Sequence, residues 1–207
     1  LLFKKNKVVS MHGRGRLIGK LKNGFKIEVL DGDREESITA INIVIATGSL
    51  PRPLPGLLID NDLICDNVGA LSFRKIPKRL GVIGAGVIGL EMGSVWKRIG
   101  SDVTILEAMP DFLGAVDEAV AKEAKRIFTQ SLGLKIITGA NIKEVNARKK
   151  SVEVIYEYKG EEEKAVFDKL VVSIGRVPNS SNIGAENIGL VVDEKGMIAV
   201  DEDNRTN

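Results

Sequence analysis

An α/β fold carried by a parallel sheet is predicted by three features of the 207-residue sequence. A short apolar run, Leu80, Val82 and Ile83, leads into Gly84, Gly86 and Gly89. A helical pattern follows, and Gly100 ends it. A second apolar run, Val103 to Leu106, then stops at Glu107. Strand, glycine turn, helix and strand in that order make a βαβ unit, the usual way to join two parallel strands.

Composition bounds the rest. A hydrophobic content of 43% supports a sizeable core in one large or two small domains. Lys and Arg number 30 against 28 Asp and Glu, and the charges are interspersed. No basic stripe points to nucleic acid or to an anionic membrane. The apolar runs are far shorter than a bilayer span, and no signal peptide opens the chain. A single cysteine, Cys65, excludes an internal disulfide framework and a Cys-rich metal site. No metal ligand set is assigned, and a cytosolic protein is the expectation. The chain opens Leu-Leu-Phe-Lys-Lys without an initiator Met and ends Asp-Asn-Arg-Thr-Asn. The expectation is an internal piece of a longer protein.

Taken in order, residues 3 to 30 predict short strands with turns at Asn6, at Gly13 to Gly15 and at Lys22-Asn23-Gly24, where Asn-Gly is a hairpin signal. Phe25, Ile27 and Val29 alternate with Lys26 and Glu28, as in a half-buried strand. Residues 31 to 38 read as a polar turn. His12, the one histidine, sits beside glycines in a turn and is given no chemistry. Ile41 to Ile45 reads as a buried strand running into Ala46-Thr47-Gly48-Ser49. Pro51, Pro53, Pro55 and Gly56 forbid a helix, so 50 to 78 reads as a linker region, with Cys65 as a buried structural thiol.

The glycine turn comes next, and its spacing suits a dinucleotide. Gly84 allows the tight turn out of the strand. Gly86 lets the backbone approach a pyrophosphate with no Cβ in the way, and Gly89, with Gly93 a turn later, lets the helix sit close on the strands. The helix N-terminus offers free N–H groups and the positive end of its dipole. Glu107, 23 positions beyond Gly84, is placed to accept hydrogen bonds from the ribose hydroxyls of the adenosine half. Its charge repels a 2′-phosphate and so favours NAD over NADP. Trp96 and Met92, on this helix, are assigned to core packing.

A second helix is predicted over Asp117 to Ser131, with Asp117 or Asp111 as its cap and Gly133 as its stop. Lys135 to Ile137 returns the chain to the sheet and completes β-α-β-α-β. From Ile142 to Phe167 the pattern becomes alternation, Val152, Val154, Tyr156 and Tyr158 on one face, which predicts an antiparallel meander. Leu170 to Ile174 supplies the last sheet strand and ends at Gly175-Arg176-Val177-Pro178-Asn179. Short strands are expected around Leu190 to Val192 and Met197 to Val200. The architecture is thus a Rossmann-like dinucleotide-binding domain: a parallel sheet flanked by helices, plus a β-meander.

Three segments, IATGS at 45 to 49, VIGAGVIGLEMGSVWKRIGSDVTILE at 82 to 107 and SIGRVPN at 173 to 179, resemble dihydrolipoamide dehydrogenases, which are FAD- and NAD-dependent disulfide oxidoreductases of class I. The resemblance runs through nearly the whole chain. It implies that residues 1 to 71 are the rear part of an FAD-binding domain, 72 to 176 the NAD-binding domain, and 177 to 207 the return to the FAD and central domains. It further implies that Gly84, Ala85, Gly86, Val87, Ile88 and Gly89 wrap the NAD pyrophosphate, that Glu91 reaches toward the nicotinamide side and that Glu107 holds the ribose. Ile142 would pack on the adenine and Gly175 would approach the nicotinamide ribose. Gly13, Thr47, Gly48 and Ser49 match residues that touch FAD in the family. Val87 stands where many relatives carry a Tyr that shields the flavin.

The redox cysteine pair, the first FAD glycine motif and the catalytic His-Glu pair of the family have no counterpart among these residues, so no catalytic residue is assigned. The resemblance implies a parent enzyme passing electrons from dihydrolipoamide through a disulfide and FAD to NAD. The chain itself is expected to bind NAD(H) without turnover and without retaining flavin. It also implies a homodimer serving 2-oxo acid dehydrogenase complexes and their lipoyl domains, in a bacterial cytoplasm or a mitochondrial matrix. Two other readings are another flavin disulfide reductase or NADH oxidase, and a stand-alone NAD-binding module.

Overall fold

The computed structural model describes residues 2–207. It divides into two compact units. The first holds the chain up to Leu50 together with Val177–Asn207, and the second is Pro51–Arg176.

In the first unit a helical turn, α1 (Leu2–Lys5), precedes the antiparallel strands β1 (Arg14–Leu21), β2 (Gly24–Asp31) and β3 (Arg34–Ala40), paired in that order. Leu21 faces Gly24, so Lys22-Asn23 is a two-residue hairpin, as the Asn-Gly pair predicts. The polar turn expected over 31 to 38 is much shorter. Asp31 pairs with Arg34 across Gly32-Asp33, and 34 to 40 form a strand. That strand offers one large apolar side chain, Ile38, itself 39% exposed. Backbone pairing with β2 holds it, so its sequence carries no alternation to read.

The buried strand expected over Ile41 to Ile45 is absent. The segment is irregular, and Val44 is 90% exposed. An apolar run becomes a strand only beside a ladder partner, and none of the described residues of this unit pairs with it. After it comes β4 (Ser49–Pro51). Of the strands expected over 190 to 200, a single bridge remains, Val192 to Ile198, around the turn at Asp193 to Gly196. A 3₁₀ turn, Ala185–Ile188, packs on β1, where Asn187 Nδ2 donates to Leu17 O at 2.8 Å.

The second unit is the α/β body. Its strands are β5 (Ile64–Cys65), β6 (Arg79–Ile83), β7 (Asp102–Glu107), β8 (Lys135–Thr138) and β12 (Lys169–Val172). They pair in parallel in the order β5-β12-β6-β7-β8. The helices are α2 (Asn67–Leu71), α3 (Val87–Arg98) and α4 (Glu118–Arg126), the last continued by a π-turn over Ile127–Ser131. Asp117 is the cap of α4, accepting from Ala119 N at 3.0 Å and Val120 N at 3.2 Å. The meander is β9 (Asn141–Ala147), β10 (Val152–Tyr158) and β11 (Glu161–Phe167). The last short strand, β13 (Arg176–Pro178), begins at the final residue of this unit and continues into the first.

The core has two halves, one on each face of the parallel sheet. Leu80, Val82, Val103 and Ile105 pack with Leu90 and Trp96 of α3. Ile83, Leu106, Leu170 and Val172 pack with Val152, Val154, Tyr156 and Phe167 of the meander. Successive strand residues point to opposite faces, so a sheet covered on both sides needs apolar residues throughout. That is why β6, β7 and β12 are continuous apolar runs while β10 alternates. Trp96 lies against Phe73, ring centroids 5.1 Å apart, and Met92 packs on the same cluster.

The region expected as linker carries β5 and α2 instead. Ile64 and Cys65 are buried and pair with Leu170 and Val171. Burial pushes the Cys65 thiol up to about 12, against the opposing pull of the Lys169 ammonium, and Sγ lies 3.2 Å from Asp62 O. The thiolate is the reactive form. Iodoacetamide at pH 8 should therefore leave Cys65 unmodified in the native protein and alkylate it in guanidinium. Rapid native labelling, followed by mass spectrometry, would contradict this burial.

Asp168 ties the end of the meander to the start of β6. Its Oδ2 accepts from Arg79 N at 2.9 Å and its Oδ1 from Arg79 Nη2 at 2.8 Å. Burial pushes this carboxyl up, but the Arg79 guanidinium and backbone N–H groups outweigh it and hold it below its ordinary 3.8. The folded state thus binds this proton less readily than the unfolded chain. The stabilisation is complete above the unfolded value and is lost as pH falls through the lower folded one. At pH 7 Asp168→Asn should cost about 1 kcal/mol, a difference that shrinks below pH 3.8. Urea denaturation of both proteins at neutral and acid pH checks it.

Candidate functional site

The site lies where β6 gives way to α3. Gly84 turns with φ of +102°, a left-handed conformation that favours glycine. Its N–H donates to Leu106 O at 2.8 Å, which holds the turn against the end of β7. At Gly89 the constraint is space. A Cβ there would overlap the carbonyl oxygen of Gly84 and lie 2.7 Å from Ser173 Oγ. Gly86 is different: it is extended, and a Cβ on it would meet nothing within 4 Å. It is the N-cap of α3 and brings no side chain to cap the helix. The first-turn N–H groups therefore remain available to an anion.

Two cavities flank this turn. One, of about 570 Å³, is lined by Gly84, Gly86, Glu107, Ala108, Asn141 and Ile142 among others. The smaller, of about 180 Å³, is lined by Val87, Ile88, Asn67 and Arg176 among others. Gly86, Ser173 and Gly175 line both. The turn thus stands between a wide compartment on the Glu107 side and a narrow one on the Val87 side. Glycine at position 86 leaves the space between them clear, and the residues present fit an extended ligand with a central anionic group.

Glu107, at the end of β7, is held at both oxygens. Oε2 accepts from Ala85 N at 2.7 Å and Oε1 from Met109 N at 2.8 Å. Ala85 is 2% exposed. Gly175, with φ of +115°, comes from the loop after β12, and its carbonyl accepts from Arg52 N at 2.9 Å. Ile142 packs on the meander-side core while lining the wide cavity.

The structure therefore gathers Gly84, Ala85, Gly86, Val87, Ile88, Gly89, Glu107, Ile142 and Gly175 around one turn. Glu91 lies on the exposed face of α3, outside the residues that line either cavity. Sequence reasoning missed Leu54, Ala108, Asn141 and Ser173 as lining residues. Ser173 had a signal, since it opens the SIGR segment two positions before Gly175. In the other unit, Asn179 ties Thr47 and Gly48: its Nδ2 donates to Thr47 O and its N to Gly48 O, both at 3.0 Å. Ser49 begins β4. Gly13 has a backbone reason of its own, because a Cβ there would lie 2.6 Å from Leu30 O. Among the described residues no cluster of His, Cys, Asp or Glu could hold a metal, and no helix is long and apolar enough to cross a membrane.

A parallel sheet covered by helices and a meander, with a glycine turn at its carboxyl edge and an acid ending the neighbouring strand, defines the Rossmann-like class of α/β proteins. The family model described as pyridine nucleotide-disulphide oxidoreductase matches residues 1–207, and the chain belongs to that family of oxidoreductases. Among curated proteins it is 52% identical to the dihydrolipoyl dehydrogenase of Cupriavidus necator, covering 97% of this chain and 42% of that protein. It is 38% identical to the mitochondrial dihydrolipoyl dehydrogenase of Schizosaccharomyces pombe, over 100% of this chain and 40% of that one. The chain thus spans about two fifths of the length of these relatives. Among solved structures, the Cu(II) complex of the HOCl-induced flavoprotein disulfide reductase RclA from Escherichia coli matches with a TM-score of 0.82 at 29% identity, over 94% of this chain and 42% of that one. LpdA from Mycobacterium tuberculosis shares the fold, with a TM-score of 0.87 at 24% identity, over 98% of this chain and 44% of that one.

Proposed function

We propose that this chain is the NAD(H)-binding portion of a dihydrolipoyl dehydrogenase. The observation that carries the reading is the glycine turn shared by the two cavities, with the carboxylate of Glu107 on the wider side. A dinucleotide has two nucleoside halves joined by a pyrophosphate, and this arrangement has a place for each. The first-turn N–H groups of α3 hold the pyrophosphate. Glu107 accepts from the adenosine ribose hydroxyls, and Ile142 covers the adenine. The narrow cavity beside Val87, Ile88 and Gly175 takes the nicotinamide half, with Glu91 toward its outer side. When bound, NAD supplies the hydride acceptor, and this chain's part is to bind and orient it.

In the whole protein, residues 72 to 176, together with β5, which joins their sheet, and α2, form the NAD-binding domain, the chain before them the rear part of an FAD-binding domain and 177 to 207 the return to it. Gly13, Thr47, Gly48 and Ser49 contribute to flavin binding there. That protein oxidises protein-bound dihydrolipoamide through a disulfide and FAD, as a homodimer with lipoyl domains of 2-oxo acid dehydrogenase complexes, in a bacterial cytoplasm or a mitochondrial matrix. With one cysteine and no catalytic pair, these 207 residues bind NAD(H) without turnover and without holding flavin. The likeness to RclA supports a second reading, another flavin disulfide reductase, which assigns the NAD site to the same residues.

Calorimetric titration with NADH and NADPH tests the site. NADH binding with weaker NADPH binding is expected. Binding of neither nucleotide would overturn it.

A further inference from the structure

We propose that Glu107 is also a positioning residue for the glycine turn, so that its carboxylate controls the pyrophosphate side of the site as well as the ribose side. The inference rests on the dinucleotide reading above and adds a second role to one residue in it. Ala85 stands between Gly84 and Gly86, and its buried N–H has the carboxylate as its acceptor at 2.7 Å. The second oxygen is fixed by Met109 N at 2.8 Å, just beyond β7. Glu107 therefore links the turn after β6 to the turn after β7. Hydrogen bonds to a carboxylate are short and strong, and an N–H buried without its acceptor is costly.

The link sets the peptide on either side of Ala85, and with it the direction of the N–H groups that enter α3. A carboxylate has about four acceptor positions. Two are engaged by the backbone, which leaves the others for ribose hydroxyls. Ribose binding and the shape of the phosphate turn thus depend on the same side chain.

Glu107→Gln separates the roles. An amide has one oxygen, so it can accept from Ala85 or from Met109, and its NH₂ group opposes the other N–H. It still offers a donor and an acceptor to ribose hydroxyls. The probe is an NADH analogue whose adenosine ribose lacks both the 2′- and 3′-hydroxyls, titrated calorimetrically beside NADH. The expected result is about a tenfold loss for the analogue as well as for NADH. Equal affinity of the analogue for wild type and variant, with NADH weakened, would overturn the positioning role and leave the dinucleotide reading intact.

Amide hydrogen exchange gives a readout free of ligand. In the wild type, Ala85 should exchange slowly relative to Val87 and Ile88, whose N–H groups lie in the first helical turn and have no intrahelical acceptor. In Glu107→Gln, Ala85 should exchange faster while the amides of β6 and β7 stay protected. Equal exchange at Ala85, Val87 and Ile88 in the wild type would refute the link even if the variant fails to fold. If the wild type binds no nucleotide, the dinucleotide reading falls, and exchange at Ala85 still decides the link.

Discussion

Gly89→Ala should destabilise the protein by about 2–3 kcal/mol and remove NADH binding. The added methyl would overlap the carbonyl oxygen of Gly84 and crowd Ser173 Oγ at 2.7 Å. The first obstacle is backbone inside a tight turn, so no rotamer change relieves it. Either α3 lifts from β6 and opens the core around Leu90 and Trp96, or the Gly84 peptide rotates and loses its bond to Leu106 O. Both shifts also displace the helix N-terminus proposed to hold the pyrophosphate. Gly86→Ala is the informative partner. Gly86 has an ordinary extended backbone, and its Cβ would project into open space. Its stability should fall by no more than about 1 kcal/mol, the scale of a weakened N-cap, while NADH affinity falls at least about tenfold. Urea denaturation and calorimetry on the two variants separate the glycine that packs from the glycine that makes room. Unimpaired NADH binding by Gly86→Ala would show that no ligand passes over this turn.

What could be read from the sequence follows the physics of each element. β6, α3 and β7 were legible because both faces of the sheet are covered and the helix buries one stripe, so their residues carry the pattern directly. Val152, Val154 and Tyr156 marked the meander because only one face of β10 is buried so deeply. β5 has two residues, too few for any period, and its strand character comes from Leu170 and Val171 beside it. β3 is polar because its stability comes from pairing with β2, and Ile41 to Ile45 shows the converse: an apolar run without a ladder. In the site, the glycine spacing announced the turn. Leu54, Ala108 and Asn141 reach the cavity only through tertiary packing, while Ser173 was marked by its place two positions before Gly175. The bond from Ala85 to Glu107 spans 22 positions and depends on a rotamer, so no spacing rule reveals it.

Glu107→Arg should weaken NADH binding by about 1–3 kcal/mol, the scale of a charged hydrogen-bond partner lost from a ribose, and should narrow the preference for NADH over NADPH. Two effects are superposed. The guanidinium cannot accept from Ala85 or Met109, so the glycine turn loses the contacts at 2.7 and 2.8 Å that fix it, and both nucleotides suffer that loss alike. The charge at the ribose also changes sign, and this acts differently on the two ligands. It removes an acceptor for the 2′-hydroxyl of NADH, and it replaces repulsion of the 2′-phosphate of NADPH with attraction. Titrating both nucleotides against both proteins separates the contributions: the loss common to the two ligands reports on the turn, and the difference between them reports on the ribose. A common loss with unchanged selectivity would place the adenosine ribose away from residue 107. Unchanged affinity for both nucleotides would remove Glu107 from the site altogether.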